Sequence, residues 1–147
     1  MNDLDRRIAE LKGFTYKGPK HTITGPDGKA YLTSWLCWTE SDAKALELVD
    51  EWVAMEKGNF AWVTTLNGSA TATFSRGYSI RTGGILVASF TERTRPEAIC
   101  RAWVAAMEWL KMRAADKAWR KQEEAKDEAL AREIDGIERD AWMRDRK

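Results

Sequence analysis

Thr94-Arg95-Pro96-Glu97-Ala98-Ile99-Cys100-Arg101-Ala102-Trp103 is the stretch on which the fold turns. Thr94 can cap a helix, and Glu97, three residues on, can reach back to the cap's own N–H. Pro96 falls in the first turn, where its missing N–H costs nothing. Beyond it Ile99, Trp103, Met107 and Leu110 recur at spacings of four and three, which places them on one helical face. The strand-like run Ile85–Phe90 comes just before, so the chain passes here from strand into helix.

Working outward, Phe60 to Leu66 alternates Phe60, Trp62, Thr64, Leu66, the period of a half-buried strand. Asn67-Gly68 follows, a pair that tolerates positive φ and signals a hairpin into Ser69–Ser75. Upstream, Thr39-Glu40-Ser41-Asp42 caps a helix with the apolar face Ala43, Leu46, Val49, Trp52 and Val53, stopped at Gly58. Gly25-Pro26-Asp27-Gly28 is a turn joining His21–Thr24 to Ala30–Trp35. Phe14 and Tyr16 suggest a short strand. Asn2 caps a first helix with Leu4, Ile8 and Leu11 on one face, ended by Gly13. Strands joined by tight turns imply an antiparallel sheet, and amphipathic helices should cover its faces. The expected class is α+β.

The Ala-Ile-Cys-Arg-Ala helix start after a proline-capped turn resembles the phage ABA sandwich domain family. With the first helix and the Trp35–Asp42 entry to the second, the resemblance covers roughly residues 1–112. It implies a three-layer α/β/α sandwich with an antiparallel sheet, here followed by a long C-terminal helical extension over 113–147. It also implies a phage origin, and no established activity comes with it. His21–Thr33 and Tyr78–Gly84 lie outside the resemblance and are where an individual activity would have been added.

A chain of 147 residues is enough for one domain with a core. A net charge of +1 removes the electrostatic case for nonspecific nucleic-acid or membrane-surface binding. Cys37 and Cys100 are far apart in apolar surroundings. With no signal-peptide pattern and no bilayer-length apolar run, reduced buried thiols in a cytoplasm are expected. Eight tryptophans are many for this length, and large aromatics serve cores and interfaces alike.

From Arg113 onward ten basic and ten acidic residues are interleaved without a proline. Asp116–Arg120, Glu128–Arg132, Asp135–Arg139 and Asp140–Arg144 are acidic-before-basic pairs at i, i+4, so the helix should continue. At ~1.5 Å per residue this tail reaches roughly 50 Å, against about 40 Å for the globule. It must therefore protrude, fold back at a break, for which Gly136 is the natural place, or pack on another chain. Leu130, Ile134, Ile137 and Ala141 form a heptad-like run, but one heptad earlier the frame meets Glu123 and Asp127. The bland reading is a solvated helix resting on its own domain. The sharper reading, an oligomerisation or partner-docking arm using Trp119, Leu130, Ile134, Ile137 and Trp142, stands ahead of it, because Trp119 and Trp142 would otherwise be exposed.

Catalytic chemistry finds little support. His21 is the only histidine and has no acidic or cysteine neighbour in sequence, and two separated cysteines with one histidine do not make a zinc site. Cys100 lies in a helix's first turns, where a thiol pKa falls, yet Ile99 and Trp103 bracket it, which favours packing. The chain has no Gly-x-Ser-x-Gly and no phosphate loop. No catalytic residue, metal or cofactor is expected.

The segment Ser75–Gly84 is the one ligand-like stretch, with Arg76, Tyr78, Arg81, Thr82, Gly83 and Gly84 as its candidate binding residues. Its guanidinium groups and glycine N–H groups suit a phosphate, and Tyr78 suits a base. A plain β-connection with glycines at its turns is about twice as common as a site of this composition. Lys17–Lys20 would add charge if the first hairpin lay alongside.

The function expected is a non-catalytic phage accessory binding protein in the host cytoplasm. It would antagonise a host defence component by binding a host defence protein or by sequestering a nucleotide second messenger, as a homo-oligomer. The alternative is a virion or assembly protein that oligomerises through its C-terminal helix. An enzyme using Arg76, Tyr78, Arg81 and scattered carboxylates is the weakest class.

Overall fold

A computed structural model describes residues 1–16, 21–77 and 84–145. The elements run α1 (Asp3–Leu11), β1 (Thr22–Thr24), β2 (Ala30–Leu32), two 3-10 turns (Thr33–Trp35 and Trp38–Glu40), α2 (Asp42–Met55), β3 (Phe60–Leu66), β4 (Ser69–Arg76), β5 (Ile85–Glu92) and α3 (Arg95–Asp145). β1 and β2 pair antiparallel, and β3-β4-β5 form a separate antiparallel sheet in that order. The class is α+β with a long C-terminal helix. No helix among the described residues is long and apolar enough to cross a membrane.

Local signals set the element ends. Asn2 Oδ1 accepts from the N–H of Asp5 at 2.8 Å. Ser41 Oγ accepts from Lys44 at 3.3 Å and Thr94 Oγ1 from Glu97 at 3.4 Å. The Glu97 carboxylate itself lies 3.7 Å from Arg101. Asn67 and Gly68 both take positive φ, 50° and 77°, the mirror-image turn that matches strand twist. In the first hairpin Asp27 accepts from the N–H of Lys29 at 3.0 Å and the hydroxyl of Tyr31 at 2.7 Å. Those bonds hold its carboxyl below the ordinary range, the Tyr31 hydroxyl contributing most. Around Phe14 and Tyr16 there is only an isolated bridge, Thr15 to Thr24, and Thr33–Trp35 turns rather than continuing the strand.

The register of β3-β4-β5 sorts its two faces. Ala70, Ala72 and Phe74 share one face of β4 with Ala61 and Val63 of β3 and with Ala88 of β5. The small residues admit the helices. Trp52 of α2 meets Phe74 edge-on at 5.7 Å, and its Nε1 donates to the carbonyls of Phe60 (3.2 Å) and Ser75 (3.1 Å). Arg76 and Glu92, at the ends of this face, reach Trp109 and Arg101 of α3. α1 joins the two longer helices through Arg7–Glu108 (3.0 Å) and an ion pair of Lys12 with Glu51.

Two expected faces are corrected. The buried side of α2 is Ala45, Leu48 and Trp52, while Ala43, Leu46 and Val53 are exposed. The Trp52 donor fixes that rotation, because its indole must reach the two strand carbonyls. On β3 the large residues Phe60, Trp62 and Leu66 point outward, and Leu66 is 71% exposed. Trp52 of α2 packs on the opposite, Phe74 face, while Thr73 and Ser75, the β4 partners of Trp62 and Phe60, are buried between their larger neighbours.

The chain divides into two compact units, Met1–Trp109 and a second beginning at Leu110, three residues before the expected change at 113. Of the alternatives for the tail, a break at Gly136 is not seen, since α3 runs through it. The helix has the propensity to do so: alanines, charged pairs such as Asp116–Arg120 (3.4 Å), and no proline after Pro96.

Candidate functional site

The predicted ligand loop joins β4 to β5. Tyr78, Arg81, Thr82 and Gly83 lie outside the described residues, as do Lys17–Lys20. Arg76, the last residue of β4, is described. It forms an ion pair with Glu56, the residue that caps the end of α2, and its guanidinium sits 5.9 Å from the centroid of the Trp109 ring. Gly84 takes a φ of 82° at the entry to β5. Gly58 abuts the loop's start, where an added Cβ would lie 3.3 Å from Gly77 Cα. The cation of Arg76 is thus neutralised by a carboxylate and covered by an indole. It braces strand to helices rather than standing ready for an anion.

Cys100 is fully buried, and burial, with the charges of Asp5 and Glu97 added, pushes its thiol up to about 12. A thiol held neutral in this way is no nucleophile at ordinary pH. Cys37 is half-buried, with Sγ 3.0 Å from the carbonyl of Ser34. Among the described residues no three His, Cys, Asp or Glu side chains gather as a metal site.

Sequence reasoning missed Asp5. This carboxylate is 2% exposed and accepts from the N–H (3.0 Å) and hydroxyl (2.9 Å) of Thr39, whose oxygen in turn accepts from Asn2 Nδ2 at 2.8 Å. Its position one helical turn before Ile8 and Ala9 was the available signal, since i+3 and i+4 share a face. A cleft of 460 Å³ lies beside it, lined by Asn2, Asp3, Leu4, Thr39, Thr94, Glu97 and Arg101. Its arginine is paired with Glu92 at 2.8 Å and lies 3.7 Å from Glu97, so the cleft offers no unneutralised cation.

Seven of the eight tryptophans are either core or exposed, and Trp109 is half-buried. Trp38, Trp52 and Trp103 are core, whereas Trp35, Trp62, Trp119 and Trp142 are exposed. On α3 the predicted partner-binding residues Trp119, Leu130, Ile134, Ile137 and Trp142 are all exposed, with Trp119 at 59% and Ile137 at 66%. At 100° per residue Trp119, Leu130, Ile134 and Ile137 fall within a sector of about 60°, and Trp142 lies outside it. The charged residues occupy most of the remaining circumference.

Compared with protein families, with curated proteins and with solved structures, the chain matches none.

Proposed function

We propose that this is a non-catalytic protein-binding protein, a homo-oligomeric phage accessory product that acts in the host cytoplasm by occupying a host defence protein. The observation that carries the binding role is the exposed apolar stripe of α3. Trp119, Leu130, Ile134 and Ile137 stand on one side of an unbroken helix whose other sides are charged. Apolar side chains held in line on a helix are the anchors of helix-in-groove and helix-on-helix recognition. The phage setting and the defence target rest on the family resemblance carried by the first helix, Trp35–Asp42 and Thr94–Trp103. A polypeptide partner is favoured over a nucleotide because the one described cation of the predicted loop, Arg76, is held by Glu56 and Trp109.

The test is quantitative affinity capture from host cells with the full chain, set against the triple variant Trp119→Ser, Leu130→Ser, Ile137→Ser. The reading requires a defined host protein that the full chain retains and the variant loses. Retention unaffected by the variant overturns it.

A further inference from the structure

We infer that the stripe on α3 pairs with the same stripe of a second copy, antiparallel, about a two-fold axis at the Glu124–Ala125 peptide. This rests on the reading that α3 is a protein-binding surface; it gives the stripe to a second copy and fixes the register, so that a host protein would meet the assembled pair and not the stripe of a single chain.

Along one side of the helix lie Met112, Ala115, Trp119 and Glu123, then Lys126, Leu130, Ile134 and Ile137. The steps between them are three, four, four, three, four, four, three, an order that reads the same from either end. All eight fall within a sector of about 100° at 3.6 residues per turn, the width of a helix seam.

Chemistry follows the same reversal. Turning a second helix end for end about Glu124–Ala125 sets Met112 against Ile137 and Ala115 against Ile134. It sets Trp119 against Leu130 and Glu123 against Lys126. Every apolar residue then meets an apolar one and the two central charges meet their opposites. Asp116 and Glu133, at the edges of the same sector, meet each other as like charges, Asp116 being paired with Arg120 of its own chain at 3.4 Å. Met112 is 73% exposed and Leu130 56%, so these seats are open.

Glu123 and Lys126 interrupt the apolar frame when one chain is considered alone. In one chain they satisfy each other, Lys126 Nζ lying 3.3 Å from Glu123 Oε1. Across the axis two such pairs meet as a four-charge layer of alternating sign. A polar layer inside an apolar seam fixes register and orientation at some cost in affinity. Sliding by one heptad sets a charge against an apolar side chain. An in-register parallel pair sets Glu123 on Glu123 and Lys126 on Lys126, which is repulsive. The overlap, residues 112–137, falls entirely inside the second compact unit.

The experiment uses full-length chains. Sedimentation equilibrium of the unmodified protein, Glu123→Lys, Lys126→Glu and the exchanged double variant measures self-association. The inference expects a dimer for the unmodified chain, each single variant weakened by about tenfold or more, and recovery in the double. Orientation is read by mixing Met112→Cys with Ile137→Cys under mild oxidation and mapping the disulfides. The mixed 112–137 cross-link is expected. The like-with-like 137–137 cross-link is not, because those residues lie about 37 Å apart in the antiparallel pair.

A like-with-like cross-link overturns the antiparallel register. A monomer at every concentration overturns self-pairing, and the protein-binding reading then stands if the serine triple variant still loses its host partner. A dimer whose host capture ignores that variant leaves the pairing intact and removes the proposed host contact.

Discussion

The carboxylate of Asp5 accepts two hydrogen bonds from Thr39, at 3.0 Å from its N–H and 2.9 Å from its hydroxyl, joining residues 34 apart in the chain. Asp5 is almost fully buried, so its charge depends on those donors in place of water. Thr39→Val keeps the shape and removes the hydroxyl. It should cost about 1.5–3 kcal/mol, the range for a hydrogen bond to a charged group. Thr39→Ser should recover most of the loss. Urea denaturation of the three proteins checks this, and equal stability of Val and Ser variants would show that the hydroxyl contributes nothing.

A second prediction concerns pH. Burial raises the Cys100 thiol from 9.0 to about 12, so the folded chain keeps a proton that the unfolded chain releases. The stabilisation is therefore fully present below pH 9 and is lost as pH rises from 9 towards 12. The slope approaches about 1.4 kcal/mol per pH unit within that window. Cys100→Ala removes the ionising group, so its stability should fall less steeply over the same range. Parallel denaturation curves for both proteins between pH 8 and 11 measure the difference. Identical slopes would mean that the thiol is not shielded as its burial implies.

Much of this fold was legible where signals are local. Asn2, Ser41 and Thr94 announced their helices through their own side chains, and Asn67-Gly68 announced a hairpin through backbone tolerance. Facing was less legible because it depends on partners. In α2, Leu46–Val49–Val53 is as regular as Ala45–Leu48–Trp52, and the sheet carbonyls that receive the Trp52 indole decide between them. In β3 the larger residues looked like the inner face. The inner face is the small one, because the buried Trp52 already fills the space beside it.

Substitutions on the two sides of the β3-β4-β5 sheet should therefore differ in cost. Trp52 is fully buried with a donor shared between two strands, so Trp52→Ala should cost about 3–5 kcal/mol. Trp62, 42% exposed on the other face, should tolerate Trp62→Thr within about 0.5 kcal/mol, threonine being well suited to a strand. Thermal unfolding separates these values easily. A large loss at Trp62 would reveal that this face is packed against something.

Gly136 offers the cleanest test of the continuous tail helix. It sits inside α3 with an ordinary helical backbone, and a Cβ there would meet nothing within 4 Å. Glycine in an exposed helix interior costs about 1 kcal/mol relative to alanine, through the extra freedom of its unfolded backbone. Gly136→Ala should therefore slow amide exchange around residues 132–140 by about fivefold. Its position lies on the side of the helix away from Leu130 and Ile137, so the binding stripe is untouched. Core unfolding should stay where it is, because Gly136 belongs to the second compact unit. Exchange that is unchanged, or faster, would place a hinge at Gly136 and end the case for one helix from Arg95 to Asp145.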